Sequence, residues 1–150
     1  MIKADGKMLI FVLADIRFVL DLDHVVEVLE PLSGRLDVQR SDLRQGIVAA
    51  LEFRHTAIPV IDPTLSLGLV SDLGLTQRSA LVLRGTEGNW AILVDRVDGL
   101  APGSLFSRAE IPALLRAAPG CADCQVLLVE DAPLMVFEPE RFYGINRAQV

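Results

Sequence analysis

Short apolar runs separated by polar turns follow one another along most of this chain. The run at residues 7–13 is continuously apolar after Lys7, whereas residues 17–22 alternate less strictly between apolar and polar side chains. An uninterrupted run fits a strand buried on both faces, and alternation fits a strand with one buried face. The turn signals recur at roughly the spacing of a sandwich or barrel. The pattern therefore predicts an all-β fold.

About ten short strands and three short helices are predicted. The helix from residue 107 depends on a capping box between Ser107 and Glu110. The helix at residues 63–69 has Pro63 at a favoured first position and Gly68 near its end. Strands are expected at residues 7–13, 17–22, 25–29, 47–53, 56–61, 79–84, 89–94, 97–101, 125–130 and 134–137, and helices at residues 63–69, 107–115 and 140–143.

Two polar stretches interrupt the predicted strands. Residues 32–45 are rich in turn-forming side chains and are expected to form a loop with one helical turn. Residues 70–78 are polar and lack periodicity, so the boundary between two lobes is expected there. Because this break falls near the middle of the chain, two small barrels fit the pattern better than one sheet. The predicted organisation is a single domain of two lobes over residues 1–150.

A hairpin is predicted at residues 51–62, with a tight polar turn at Arg54-His55. Pro59 has no N–H to give to a neighbouring strand, so the second strand is expected at a sheet edge or a bulge. Arg54 is then held at the tip of a stiff apolar hairpin. One exposed cation in an acidic protein can fix the register of an acidic partner. The alternative interpretation of Arg54 is an ordinary solvated turn residue.

The composition excludes several classes of partner. Net charge is −6 and no run of Lys or Arg is present, which argues against binding to nucleic acid or to an anionic membrane surface. The apolar runs are too short to cross a bilayer. The run after Lys3 and Lys7 is short for a signal peptide, because Asp15 and Arg17 follow it. A cytoplasmic protein without direct membrane insertion is expected.

Signatures of catalysis are almost absent from the sequence. Gly85 and Gly88 belong to a predicted hairpin loop and not to a phosphate-binding loop before a helix. His24 and His55 have no local metal-ligand spacing, and no G-x-S-x-G nucleophile motif is present. We therefore assign no catalytic residue, no metal site and no cofactor, and we expect a protein that is not an enzyme.

The sharpest local motif is the pair Cys121 and Cys124, separated by two residues. Such a pair can supply half of a zinc site or can act as a redox couple. Zinc would need two further ligands, and the nitrogen ligands available are His24 and His55. A small redox or metal-binding protein is therefore the alternative function, and a loop pair without chemistry is the third interpretation.

Four segments, taken in order, match one family pattern. Residues 17–28 (RFVLDLDHVVEV) resemble its opening segment, and residues 53–62 (FRHTAIPVID) resemble its L-R-G-x-x-x-P-V-V-D core. Residues 94–97 (VDRV) match V-D-x-V, and residues 135–142 (MVFEPERF) resemble the closing L-D-x-x-K-L. The chain thus resembles CheW, the coupling protein of bacterial chemotaxis, along nearly its whole length.

The resemblance carries expectations for fold, partners and site. It implies two five-stranded SH3-like barrels around a shared groove, and a non-enzymatic adaptor that bridges methyl-accepting chemoreceptors to the histidine kinase CheA. Kinase contact would use an exposed apolar surface of one barrel. The family's receptor-contacting positions fall here at Val25, Glu27, Arg54 and Leu100.

Three positions depart from the family pattern. Glu52 stands where the family usually has Asn, His55 replaces the Gly that follows the Arg, and Pro63 replaces a Leu after Asp62. The first two changes alter the charge and the shape of the tip that would contact a receptor. A divergent chemosensory pathway, or an adaptor with another partner, is therefore kept as the alternative.

Overall fold

Strands dominate a computed structural model of the chain, which describes residues 6–109, 126–129 and 132–142. Within these ranges the one α-helix, α1, covers Pro63–Leu67. The twelve strands there are β1 (Lys7–Leu13), β2 (Ile16–Asp21), β3 (Val25–Leu29), β4 (Leu36–Asp37), β5 (Ile47–Phe53), β6 (Thr56–Ile61), β7 (Ser79–Leu83), β8 (Trp90–Val94), β9 (Arg96–Pro102), β10 (Ser107–Ala109), β11 (Val126–Val129) and β12 (Ala132–Val136). The 3₁₀ turns there are Leu22–His24, Val38–Arg40, Leu43–Gln45, Leu75–Gln77, Gly103–Leu105 and Pro139–Arg141.

The strands form two six-stranded sheets that share the chain in an interleaved way. The first sheet has the order β10-β11-β12-β2-β1-β9, and the second has the order β3-β7-β8-β6-β5-β4. The chain therefore builds two strands of the first sheet, then all of the second sheet, and then returns to complete the first. Strand β12 reaches β2 through a short parallel pairing at Met135–Phe18 and Val136–Val19.

Burial on both faces explains why several strands are continuously apolar. Leu9, Phe11 and Leu13 of β1 enter a core shared by the two sheets, whereas Met8 and Ile10 enter a smaller core on the opposite face. Strands β7 and β8 divide in the same way between the shared core and a core of the second sheet alone. Because side chains alternate between faces, a strand buried on both needs an apolar residue at every position.

Aromatic rings hold the shared core together. The rings of Phe11 and Phe18 stack with centroids 5.6 Å apart, and those of Phe137 and Phe142 stack at 4.5 Å. Phe137 also meets Phe11 edge-on at 5.5 Å, so the rings form one connected group. This group packs with residues of the second sheet, including Ile92, and therefore joins the two sheets.

The predicted strands occur as expected, and the all-β fold is confirmed, but the strand count is higher. Strand β4 arises within residues 32–45, where we predicted a loop, because Leu36 pairs with Leu51. Strand β10 occupies Ser107–Ala109, where we predicted the start of a helix, because it pairs with β11. The remainder of that predicted helix lies outside the described residues. In both places a non-local pairing overrode the local signal.

The expectation of two closed five-stranded barrels needs correction, because each sheet has six strands and its edge strands are not paired with each other. The first sheet nevertheless curls. Its edges, β9 and β10, are separated by residues 103–106 alone. That connection spans at most about 18 Å, whereas a flat six-stranded sheet would hold its edges about 24 Å apart. The first sheet is therefore strongly curved but open.

Residues 70–78, the predicted lobe boundary, connect α1 to β7 within the second sheet. The chain changes from one sheet to the other after Asp21 and again after Val94. The division of residues 1–150 into two lobes stays a prediction. The helix before this segment follows its sequence signals, since the Asp62 carboxylate accepts a hydrogen bond from the Thr64 N–H and Gly68 ends the helix with φ of 70°.

Candidate functional site

The turn at Arg54 and His55 joins β5 to β6 by two residues, because Phe53 pairs directly with Thr56. Both turn residues have left-handed backbones, with φ of 50° at Arg54 and 67° at His55. This geometry matches the right-handed twist of a hairpin, but glycine or asparagine usually supplies it. A hairpin packed on its inner face can hold two such residues in place. The predicted tight turn is thus confirmed.

The arginine at the tip lies against an aromatic ring. The guanidinium carbon of Arg54 is 4.7 Å from the ring centroid of Phe53, a cation–π arrangement. Phe53 is 5% exposed and belongs to the core of the second sheet, with Leu51 and Ile58. Arg54 itself is exposed. The charge is therefore presented to solvent from a fixed support.

The sequence predicts Pro59 at a sheet edge or at a bulge. Strand β6 lies between β8 and β5, so the edge position is wrong, but the pairing of β5 with β6 has a register shift between Ile47 and Ala49, opposite Ile61 and Val60 and next to Pro59. The pairing of β6 with β8 covers Val60 with Ala91 and Ile61 with Ile92. Pro59 comes just before this paired part, where its missing N–H removes none of these pairings.

A shallow cleft of about 360 Å³ lies beside the hairpin tip. Glu52 and His55, both departures from the family pattern, are among its lining residues. Arg35 and Arg40 bring two further cations that the sequence reasoning missed, because β4 was not predicted. The side chains of these four residues have no hydrogen bond or ion pair within the part of the chain that the structure describes. The cleft is lined by Gly34, Arg35, Leu36, Asp37, Arg40, Ala50, Glu52, His55 and Ala57.

Val25 and Glu27 lie together on β3, an edge strand of the second sheet. Val25 is half-buried and packs against the shared core, whereas Glu27 is exposed. The register with β7 shifts between these two residues, from Val25–Leu83 to Glu27–Val82. A bulge of this kind re-aims the side chains that follow it and discourages edge-to-edge pairing.

Leu100 lies on β9, an edge strand of the first sheet, and 57% of it is exposed. It pairs with Leu9, which pairs with Leu20 on the far side of β1. Strand β2 ends one residue after Leu20, and a 3₁₀ turn leads to Val25. Val25 thus packs against the shared core from the second sheet, whereas Leu100 is mostly exposed beside Leu9 in the first sheet.

The structure thus brings some of the predicted receptor-contacting residues closer together than others. Val25 and Glu27 share an edge strand of the second sheet, whereas Leu100 lies on an edge strand of the first sheet. Arg54 is on the hairpin, about 14 Å from β3 across the intervening strands β7 and β8, and it lies further along the strands as well, because the register places Glu27 level with Val60. These four positions follow from the resemblance, and their role in contacting a partner stays a prediction.

Two carboxylates join segments that are separate in the sequence. Asp62 forms a buried ion pair with Arg78 at 2.7 Å. Asp95 accepts a hydrogen bond from the Ala14 N–H at 2.9 Å and another from the Ser71 hydroxyl at 2.6 Å. It therefore ties the β1–β2 turn to residues 70–78. Both carboxylates belong to the motifs singled out in the sequence.

The cysteine pair lies outside the described residues. In the ranges that the structure does describe, no group of three or more His, Cys, Asp or Glu residues is arranged to hold a metal ion. No helix of those ranges has the length and apolar character needed to cross a membrane. The three interpretations of Cys121 and Cys124, as a metal site, a redox pair or a loop pair without chemistry, therefore stay predictions.

Comparison with known proteins bears on the same architecture. The crystal structure of the scaffolding protein TtCheW from Thermoanaerobacter tengcongensis is similar, with a TM-score of 0.69, 18% sequence identity and 89% of each chain covered. At this identity the likeness concerns the fold. A search of curated protein sequences gives no match. A family model described as CheW-like domain matches residues 7–103, more than half of the chain. The chain therefore belongs to the CheW-like domain family.

Proposed function

We propose that this protein is a non-enzymatic cytoplasmic adaptor that couples a chemoreceptor to a CheA-type histidine kinase. The observation that carries the proposal is the family match over residues 7–103, which includes the hairpin tip and the edge strands β3 and β9. The similar fold of TtCheW, which is a scaffolding protein, is in keeping with it. Such an adaptor forms and breaks no covalent bond, and it acts by binding two proteins at once.

The receptor would bind at Val25, Glu27, Arg54 and Leu100, which we call the proposed receptor surface. Leu100 offers exposed apolar area, while Glu27 and Arg54 offer opposite exposed charges. Apolar contact supplies affinity, and paired charges fix the register of the partner. The mixture suits a partner that is apolar with charged flanks.

The kinase would bind elsewhere, since an adaptor has to hold both partners simultaneously. Exposed apolar side chains lie beside β5, at Val38 and Leu43, which are 52% and 74% exposed. Others follow β6, at Leu65 and Val70, which are 63% and 83% exposed. Exposed apolar area of this kind is typical of a protein–protein contact.

The altered tip bears on which receptor would bind. Glu52 adds a negative charge beside Arg54, and His55 replaces a residue without a side chain in the family pattern. A receptor matched to this tip would have to accommodate both changes, for example by placing a cation near Glu52. The partner is therefore expected to be the receptor of this protein's own pathway and not a generic one.

Charge reversal at the tip tests the proposal. Arg54→Glu should weaken binding to the purified signalling fragment of a chemoreceptor that the wild type binds, and should leave binding to the CheA-type kinase unchanged. Arg44→Glu is the matched control for receptor binding alone, because Arg44 is exposed and precedes the far end of β5 but adjoins Leu43 of the surface offered to the kinase. Co-sedimentation with each purified partner measures both effects. Unchanged receptor binding by the Arg54 variant would contradict the proposed receptor surface, and failure of the wild type to bind either partner would contradict the adaptor function.

A further inference from the structure

We propose that Phe53 is a positioning residue for Arg54, setting the direction in which the guanidinium meets its partner. The inference rests on the proposed function in that it takes Arg54 as a partner contact. It goes further by assigning a second residue, which is buried and does not contact the partner, to the orientation of Arg54. The juxtaposition that carries it is a fixed aromatic ring beneath an exposed cation on a left-handed turn.

The ring of Phe53 is fixed because it belongs to the core. Phe53 is 5% exposed and packs in the core of the second sheet with Leu51 and Ile58. Its backbone is held by β6, since Glu52 pairs with Ala57 and Phe53 itself pairs with Thr56. A ring held in this way cannot move with the arginine side chain. The ring therefore sets the orientation of the guanidinium.

The guanidinium has no competing partner in the described ranges. Its carbon lies 4.7 Å from the ring centroid, and Arg54 forms no ion pair or side-chain hydrogen bond there. A long side chain free in solvent would lose rotamer freedom on binding and would bind more weakly for that reason. Contact with the ring face removes part of this loss in advance. Because Arg54 is exposed and forms no side-chain hydrogen bond in these ranges, its N–H groups stay open to a carboxylate.

The backbone of the turn contributes to the same orientation. With φ of 50° at Arg54 and 67° at His55, the turn holds the Cα–Cβ bond of Arg54 in one direction relative to the strands. An arginine in an ordinary flexible loop would lack this constraint. Backbone and ring together thus define where the charge lies before any partner arrives.

A purely structural role for Phe53 makes a different prediction. If the residue only fills the core, then leucine, which stands at this position of the family pattern, should serve almost as well. If the ring positions Arg54, Phe53→Leu should weaken receptor binding although the protein stays folded. Phe53→Tyr retains the ring face and should behave like the wild type.

The experiment combines a partner-free measurement with a binding measurement. Protons on the Arg54 side chain above a ring face are shifted upfield in NMR spectra, and this shift should be present in the wild type and Phe53→Tyr and lost in Phe53→Leu. Binding to the receptor signalling fragment should weaken about two- to fivefold in Phe53→Leu, which is the scale of an exposed cation–π contact. The same change made on an Arg54→Ala background should have no further effect on binding.

The outcomes separate this inference from the proposed function. Absence of the upfield shift in the wild type overturns the inference. So does binding by Phe53→Leu at wild-type strength while Arg54→Ala binds weakly, a result that leaves the proposed receptor surface intact. Equal loss from Phe53→Leu with and without Arg54 also overturns it, because the ring would then act through the core. If Arg54→Ala binds like the wild type, both the inference and the role of Arg54 as a receptor contact fail.

Discussion

The guanidinium of Arg78 lies 2.7 Å from the carboxylate of Asp62, and both side chains are 9% exposed. Arg78 also donates hydrogen bonds to the carbonyl oxygen of Leu73 through Nε at 3.1 Å and Nη2 at 2.9 Å. The other carboxylate oxygen of Asp62 accepts from the Thr64 hydroxyl at 2.6 Å. The pair therefore joins the start of α1 to the end of residues 70–78, with most of its polar atoms satisfied.

Removal of one partner should be costly, because the other would stay buried and unpaired. We expect Arg78→Met to lower the free energy of unfolding by about 3–5 kcal/mol. Urea denaturation measures the loss. The control is Arg96→Met, which breaks a pair with Asp98 in which Arg96 is 64% exposed, and this change should cost about 1 kcal/mol or less. Equal losses from the two variants would contradict a structural role for the buried pair.

Asp95 should stabilise the protein through its two hydrogen bonds to separate segments. Asp95→Ala leaves the Ala14 N–H and the Ser71 hydroxyl without this acceptor, and we expect a loss of about 1–3 kcal/mol in the free energy of unfolding. Asp95→Asn keeps one oxygen acceptor and should lose less. Hydrogen exchange at the Ala14 amide gives a local measurement. Unchanged exchange in the alanine variant would show that this hydrogen bond does not protect the turn.

The left-handed histidine at the hairpin tip should carry strain. A non-glycine residue in the left-handed region costs about 1–2 kcal/mol in the folded state. Replacement by glycine removes this cost, but the greater freedom of glycine in the unfolded chain offsets part of the gain. We expect His55→Gly to raise the free energy of unfolding by about 0.5–1 kcal/mol. Ala57→Gly, on β6 close by, should instead lower it by a similar amount. A destabilised His55→Gly would mean that the imidazole makes a favourable contact in the cleft.

Gly85 should resist replacement because a side chain there has no room. A Cβ atom at this position would lie 2.5 Å from the Gly88 carbonyl oxygen and 3.0 Å from Cδ1 of Trp90. We expect Gly85→Ala to destabilise the protein by about 1–3 kcal/mol. Gly74→Ala is the control, since the nearest atom there is 3.5 Å away on Gln77. The chain has one tryptophan, so the fluorescence of Trp90 reports the change directly.

The cysteine pair should be dispensable if the protein is an adaptor. Replacing Cys121 and Cys124 together with serine should leave binding to the receptor fragment and to the kinase at wild-type strength. Metal analysis of protein purified without chelator addresses the alternative function independently. Loss of partner binding in the double variant, or one equivalent of zinc in the wild type, would favour the alternative.

Much of the fold could be predicted from local patterns. The central hairpin, its turn and the caps of α1 each depend on residues close in sequence, and Asp62, Pro63 and Gly68 play the expected parts. Strand β10 could not be predicted in this way, because the polar residues at its start carry a helix signal that pairing with β11 overrides. The interleaving of the sheets also has no local signal, since Phe18 pairs with Met135 from the far end of the chain.

Some parts of the candidate site could be predicted from the sequence and others could not. The adjacency of Phe53 and Arg54 is visible in the sequence, but the direction of the guanidinium depends on two left-handed residues that usually require glycine. The cleft beside the tip was missed because Arg35 is placed by β4, a strand of two residues. Short pairings of this kind depend on tertiary context and leave no periodic pattern.

The interleaved order of the sheets has a consequence for synthesis of the protein. A nascent chain that has reached residue 103 contains all six strands of the second sheet but only β1, β2 and β9 of the first. Until Met135 and Val136 emerge, the outer edge of β2 offers bare N–H and C=O groups to any extended segment that reaches it. A premature stop between β9 and β12 should therefore yield a polypeptide with a complete second sheet and an incomplete first sheet. The unpaired edge of β2 would favour strand exchange with a neighbouring copy and inclusion-body formation.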